Sequence, residues 1–83
     1  MKTIVIVCTG NICRSPMAAG LLRARLAEDE ERRDWRVVSA GTWAMEDRAA
    51  SQYAISKMAE RGIDIEGHQS RSITARLMWR ADL

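Results

Sequence analysis

The stretch that most constrains this chain is IVIVCTGNICRSPMA, residues 4–18. Ile4 to Val7 form an unbroken β-branched run, the pattern of a strand covered on both faces in a parallel sheet. Ser15 is a candidate N-cap and Pro16 suits the first helical position. A helix is therefore predicted over about residues 16–31, with Ala18, Leu22 and Leu26 along its apolar face. WRVVSAG, residues 35–41, reads as a second strand ending at a glycine turn. A second helix is predicted over residues 48–61, with Ala50, Ala54 and Met58 spaced by four and Gly62 as its stop. Thr74 is the candidate N-cap of a short helix holding Leu77, Met78 and Trp79. This alternation gives an α/β fold, a three-layer arrangement of a parallel sheet with flanking helices and right-handed crossovers. Ligands of such sheets bind beyond the carboxyl ends of the strands, where CTGNICRS lies.

Composition narrows the class. With 83 residues, 47% hydrophobic and 29% charged, the chain reads as one small globular domain whose core is marginal for its length. Two cysteines cannot make a disulfide framework, and no apolar run approaches the roughly 20 residues of a transmembrane helix. The apolar stretch of MKTIVIVCTG is too short for a secretory signal and the helix from Pro16 follows without a small-residue cleavage site, so a cytoplasmic protein with reduced thiols is expected. A net charge of +2, with bases scattered among acids, is too small to argue for nucleic acid, and no such partner is expected. No membrane partner is expected either.

The loop between the first strand and the first helix has a chemistry set by its ends. A short turn into a helix start, with Gly10 free to take unusual dihedrals, can point successive backbone N–H groups inward as an anion nest. The helix adds its positive dipole end, and the Arg14 guanidinium can grip two oxygens of a tetrahedral oxyanion. Cys8 is predicted on the floor of this phosphate-binding loop, where the same donors stabilise a thiolate. The reading is a nucleophilic Cys8 that takes a phosphoryl group onto sulfur. Arg14 and the amides of Thr9, Gly10, Asn11, Ile12 and Cys13 hold the charge of the transition state. Ser15 can donate its hydroxyl to the sulfur, helping it ionise and later leave. Cys-x5-Arg alone is a weak signal, since a cysteine closing an apolar strand is more often a small buried hydrophobe. The weight comes from the whole string between strand and helix. No Gly-Lys-Ser/Thr follows the glycine, which excludes a nucleotide P-loop. Two cysteines and His68 make no familiar ligand set, so no metal or other cofactor is expected.

VCTGNICRSPMA closely resembles the signature of the low-molecular-weight protein tyrosine phosphatases, and SAGTW and HQSRSIT resemble later segments of that family. The resemblance spans essentially the whole chain. It implies Cys8 as nucleophile, Arg14 as phosphate clamp, Ser15 as partner of the thiolate and Asn11 as the residue that holds the loop in a strained shape. His68 corresponds to a family histidine that hydrogen-bonds this asparagine. Ile12 stands where members acting on phosphotyrosine carry an aliphatic side chain and members acting on phosphoarginine tend to carry threonine. The implied substrate is a phosphotyrosine protein or a small aryl phosphate, with inorganic phosphate or a similar oxyanion as the bound group. Trp43 matches an aromatic pocket wall able to pack on a phenyl ring, although by position alone it could equally cover the sheet edge. Cys13 matches a second loop cysteine that traps oxidised Cys8 as a disulfide. By position alone it is a small residue in the helix packing.

The departures matter as well. The resemblance implies members nearly twice this length, with a general acid in an Asp-Pro pair in their second half. Here the only proline is Pro16, and Asp29, Asp34, Asp47, Asp64 and Asp82 all lie outside such a pair. The segment between Trp43 and Ala49 is also short compared with many members. RADL at the end reads as the opening of a third strand, and two parallel strands alone are not a viable sheet. The expectation is a truncated chain, one partial phosphatase domain over residues 1–83, with Asp47 the first candidate for a substitute acid. Two other readings stay open. A thiol-based arsenate reductase would use the same loop but need redox cysteines beyond Cys13. A non-catalytic phosphate-binding module would keep the loop without turnover.

Overall fold

The computed structural model describes residues 1–83. In chain order its elements are β1 (Thr3–Cys8), α1 (Arg14–Ala27), β2 (Arg36–Gly41), α2 (Gln52–Ala59) and α3 (Ala75–Arg80). β1 and β2 pair in parallel, in register from Thr3 against Arg36 to Cys8 against Gly41. The pairing widens at both edges. Gly41 bridges Ser72 in parallel, its N–H donating to the Arg71 carbonyl and its carbonyl accepting from the Ile73 N–H, each at 2.8 Å. Beyond β1, the Leu83 N–H donates to the Thr3 carbonyl at 3.3 Å and the Leu83 carbonyl accepts from the Val5 N–H at 2.9 Å. That is the slanted bond pair of a parallel ladder, so the RADL segment does lie alongside β1. α1 packs across both strands and α3 reaches β1. Arg36 and Val38, two apart and so on one face, line a cavity with residues of α3. Ser39, on the other face, bonds Asn11 beneath the loop. Helices therefore flank both faces of a parallel sheet, the three-layer arrangement.

Several local expectations shift. β2 is the buried strand, with every residue from Val37 to Gly41 covered. β1 is only half-buried and Val7 is 42% exposed. A β-branched run states a demand for cover, not what supplies it, and a groove over Ile6 and Val7 stays open. α1 begins at Arg14 and ends at Ala27, and Ser15 does not cap it. The Ser15 hydroxyl is turned to Cys8 Sγ instead. Pro16 falls in the first turn, where its missing N–H costs no intrahelical bond. At the far end Asp29 accepts from the Glu31 N–H at 2.9 Å and from the Arg32 guanidinium at 2.8 Å, a local turn that competes with the helix. The buried face of α1 is Ser15, Pro16, Ala19 and Gly20, while Ala18, Leu22 and Leu26 remain half-buried.

α2 starts at Gln52 because Ser51 caps it, accepting from the Ala54 N–H at 3.1 Å. The Arg48 backbone is used instead to tie down Ser70. Ala50, Ala54 and Met58 are buried as predicted and form a core cluster with Ile65. Gly62, at φ +74°, ends the helix: its N–H donates to the Ala59 carbonyl and the Ile63 N–H to the Met58 carbonyl, both at 2.9 Å. This is a Schellman motif, closed by the apolar pair Met58 and Ile63. Thr74 caps α3 as predicted, accepting from the Leu77 N–H at 3.1 Å.

Candidate active site

Cys8 is the last residue of β1 and Arg14 the first of α1, so residues 9–13 form the connecting loop. Three backbone bonds fasten it. The Thr42 N–H donates to the Cys8 carbonyl at 2.9 Å, the Trp43 N–H to the Thr9 carbonyl at 3.0 Å, and the Ser51 N–H to the Ile12 carbonyl at 2.6 Å. Gly41 permits this close approach. A Cβ there would stand 2.5 Å from the Thr9 carbonyl oxygen and 2.8 Å from Ala44 Cβ.

The residue in the left-handed region is Asn11, at φ +58°, and not Gly10. Asparagine tolerates that conformation better than most side chains, and here the fully buried residue is held from several sides. Its Nδ2 donates to Ser15 Oγ at 2.8 Å and to Ser39 Oγ at 2.9 Å, and its Oδ1 accepts from the Arg71 N–H at 2.8 Å. Its carbonyl lies 2.6 Å from His68 Nε2, which must carry the proton because a carbonyl only accepts.

The same network reaches the sulfur. Ser15 Oγ already accepts from Asn11 Nδ2, which leaves its own hydrogen for Cys8 Sγ at 2.9 Å. The Asn11 N–H points at that sulfur from 3.3 Å. Burial pushes the Cys8 thiol up. The Ser15 hydroxyl and the N–H groups of Ser15, Asn11 and Gly10 outweigh that and hold it below its ordinary value. Arg14 is exposed and lines, with Cys8, Thr9 and Ser15, a groove of about 410 Å³ over Ile6 and Val7. Chemically, this is a sulfur predisposed to ionise, held by N–H and hydroxyl donors in a groove that Arg14 also lines, an arrangement able to hold a tetrahedral oxyanion over the sulfur.

The remaining predicted residues divide. Trp43 is 86% exposed and lines, with Gly10, Ile12, Met45 and Arg48, a cavity of about 480 Å³ beside the loop. Cys13 is half-buried against the cluster of Ala50, Ala54, Met58 and Ile65, and both cysteines are free. Asp47 lines a separate polar cavity walled by Pro16, Ser39 and His68, and Cys8 is not part of that wall. Sequence reasoning missed Ser39, Ser70 and Arg71. Ser70 is buried, accepts from the Arg48 N–H at 2.9 Å and donates to the Met45 carbonyl, steadying the segment after Trp43. A serine inside the apolar run VVSAG was a usable signal, because a buried hydroxyl needs a partner. The Arg71 contact is made by backbone and leaves no mark in the sequence.

A family model, low molecular weight phosphotyrosine protein phosphatase, matches residues 3–83. The probable low molecular weight protein-tyrosine-phosphatase EpsP of Ralstonia solanacearum is 46% identical over 83 residues, 100% of this chain and 53% of its own length. An arsenate reductase of Staphylococcus aureus is 43% identical over 82 residues, 99% of this chain and 56% of its own length. Among solved structures, a low molecular weight protein tyrosine phosphatase from T. tengcongensis superposes with a TM-score of 0.89 at 39% identity, covering 100% of this chain and 56% of that one. The chain spans about half the length of the curated relatives it matches. With the match running from residue 3 to residue 83 and the loop geometry built around Cys8, Asn11 and Ser15, the chain belongs to the low molecular weight phosphotyrosine protein phosphatase family.

Proposed function

We propose that this chain carries the nucleophile and the phosphate-binding loop of a phosphotyrosine protein phosphatase working through a cysteinyl-phosphate intermediate. The observation that carries this is the Cys8 sulfur, 2.9 Å from a Ser15 hydroxyl whose oxygen is already occupied by Asn11. Cys8 Sγ attacks phosphorus, the phosphorus–oxygen bond to the phenol breaks, and the phosphoryl group stays on sulfur. Water then cleaves the sulfur–phosphorus bond, releasing inorganic phosphate and the thiolate. Arg14 and the loop N–H groups hold the phosphoryl oxygens, and the Ser15 hydroxyl stabilises the sulfur as it leaves. Ile12 in the loop and Trp43 beside it line one cavity and support an aromatic leaving group, hence phosphotyrosine or an aryl phosphate.

Tyrosine's phenol has a pKa of about 10, and a general acid typically contributes a factor on the order of 100 to 10,000 to expelling such a group. The groove at Cys8 is lined without a carboxylate. Residues 1–83, read as one partial phosphatase domain, are therefore expected to favour aryl phosphates with weakly basic leaving groups. Two free thiols support a cytoplasmic location, and no helix is long and apolar enough to cross a membrane. The arsenate reductase relative supports a second reading in which the same loop takes arsenate. Cys8 and Cys13 are the only thiols present to serve it.

Replacing Cys8 tests the proposal. Cys8→Ser should abolish hydrolysis of an activated aryl phosphate while phosphate binding stays largely intact, and Arg14→Ala should damage both. A Cys8→Ser protein that keeps its rate places the nucleophile elsewhere. Thiol-dependent reduction of arsenate without ester hydrolysis selects the second reading.

A further inference from the structure

On the α3 side of the sheet, four arginines surround one small cavity: Arg36 at the start of β2, Arg71 beside Ser72, and Arg76 and Arg80 on α3, together with Thr3 and Thr74. No carboxylate lines it. The nearby Asp82 is engaged with the Thr3 N–H at 2.8 Å. The ion pairs of the molecule use Met1, Arg32 and Lys57 as their cations, so none of these four guanidiniums has an acidic partner. Arg76 and Arg80 are four apart, on one helix face, where like charges destabilise a helix. With Arg36 and Arg71 they line one cavity. An anion seated among the four would relieve this repulsion.

We propose that this cavity is a second oxyanion site, separate from the Cys8 loop, that takes a free phosphate-sized anion. Its volume of about 140 Å³ is several times the roughly 30 Å³ of a liquid water, yet below the roughly 300 Å³ at which pockets for larger organic ligands begin. Planar guanidiniums suit the paired oxygens of a phosphate, and two threonine hydroxyls add donors. Thr3 and Cys8 stand at opposite ends of β1, about 17 Å apart at roughly 3.3 Å per residue, so one small anion cannot serve both places. The two sites do share a member. Arg71 lines this cavity, and its N–H holds Asn11 Oδ1 under the loop at 2.8 Å.

The test titrates inorganic phosphate into the protein, followed by calorimetry and by amide chemical shifts, in wild type, in Arg14→Ala and in the double variant Arg76→Gln/Arg80→Gln. Wild type should show two sites. Arg14→Ala should keep one, with shifts at Thr3, Arg36 and Thr74 that weaken as salt is raised. The double variant should keep the loop site and weaken the other by about tenfold or more, the loss expected when charged hydrogen bonds are removed. Because α3 holds no buried residue, both replacements fall where the fold tolerates them. The proposal is overturned if Arg14→Ala binds no phosphate, if its shifts persist in the absence of Arg76 and Arg80, or if chloride at equal ionic strength reproduces them. The readout is binding in the absence of the loop clamp, so failure of the phosphatase reading would leave this site standing.

Discussion

At the carboxyl end of β1, Asn11, Ser15, Ser39 and Ser70 are buried and no buried side-chain polar atom lacks a partner; at its amino end, α3 has no fully buried residue and its arginines stand in water. The contrast shows where this small molecule keeps its rigidity. Its buried apolar residues are few and mostly small, Met58 and Ile65 being the large ones. A buried polar network has high stakes, because each group left unpaired in a low dielectric costs about 1–3 kcal/mol. Exposed charges are solvated, and any one of them contributes little to stability. The loop that presents Cys8 is thus braced by hydrogen bonds from beneath, and the arginine face is free to exchange partners.

The hardest blow to the braced end is Asn11→Ala. It strips the Ser39 hydroxyl and the Arg71 N–H of their partner and puts an alanine at φ +58°. A loss of about 3 kcal/mol or more is expected in denaturant melts. Asn11→Gly separates the causes: it accepts the dihedral but still loses the bonds, so it should recover only about 1 kcal/mol. Equal stability of Asn11→Ala and wild type would show that the network does not hold the loop. Gly41→Ala comes next. Its Cβ would meet the Thr9 carbonyl at 2.5 Å, backbone that is itself tied to Trp43, and overpacking of this kind costs about 1–3 kcal/mol.

The same contrast sorts what the sequence discloses. The strand, the loop and the helix start are written in local signals: the run Ile4–Val7, the turn residues, Pro16. The caps Ser51 and Thr74 and the stop Gly62 are local too, and they stand where a hydrogen bond or a positive φ requires them. The errors fall where a distant partner decides. Ser15 looks like a cap until Cys8 and Asn11 claim its hydroxyl. Gly10 looks like the flexible residue until Ser39 and Arg71, 28 and 60 positions away from Asn11, fix the turn at the asparagine instead. β1 looks fully buried because side-chain type says nothing about which elements arrive to cover it. His68, a lone loop histidine, acquired meaning only through the family resemblance, and its bond to the Asn11 carbonyl spans 57 positions.

Ser15→Ala probes the link between brace and sulfur. The thiolate is the reactive form, and a thiol held below its ordinary value should be alkylated at lower pH than an unstructured cysteine peptide. Removing the hydroxyl deletes a contact that lowers the pKa and leaves the burial that raises it. The alkylation midpoint of Cys8 should therefore move to higher pH. An unmoved midpoint would mean that the backbone N–H groups alone sustain the thiolate.

The smallest effect belongs to Trp79→Ala at the open end. Trp79 is 90% exposed on α3, beside Met78 at 60%. Substitutions at such surface positions usually stay within about 0.5 kcal/mol. The melt of Trp79→Ala should overlay that of wild type, and the alkylation profile of Cys8 should not change. A loss above about 1 kcal/mol would point to a covering surface in solution, since the contacts within the chain cannot supply one. Repeating the melt across a hundredfold range of protein concentration then decides the matter: a second copy covering Trp79 makes the midpoint rise with concentration, and a solvated Trp79 leaves it fixed.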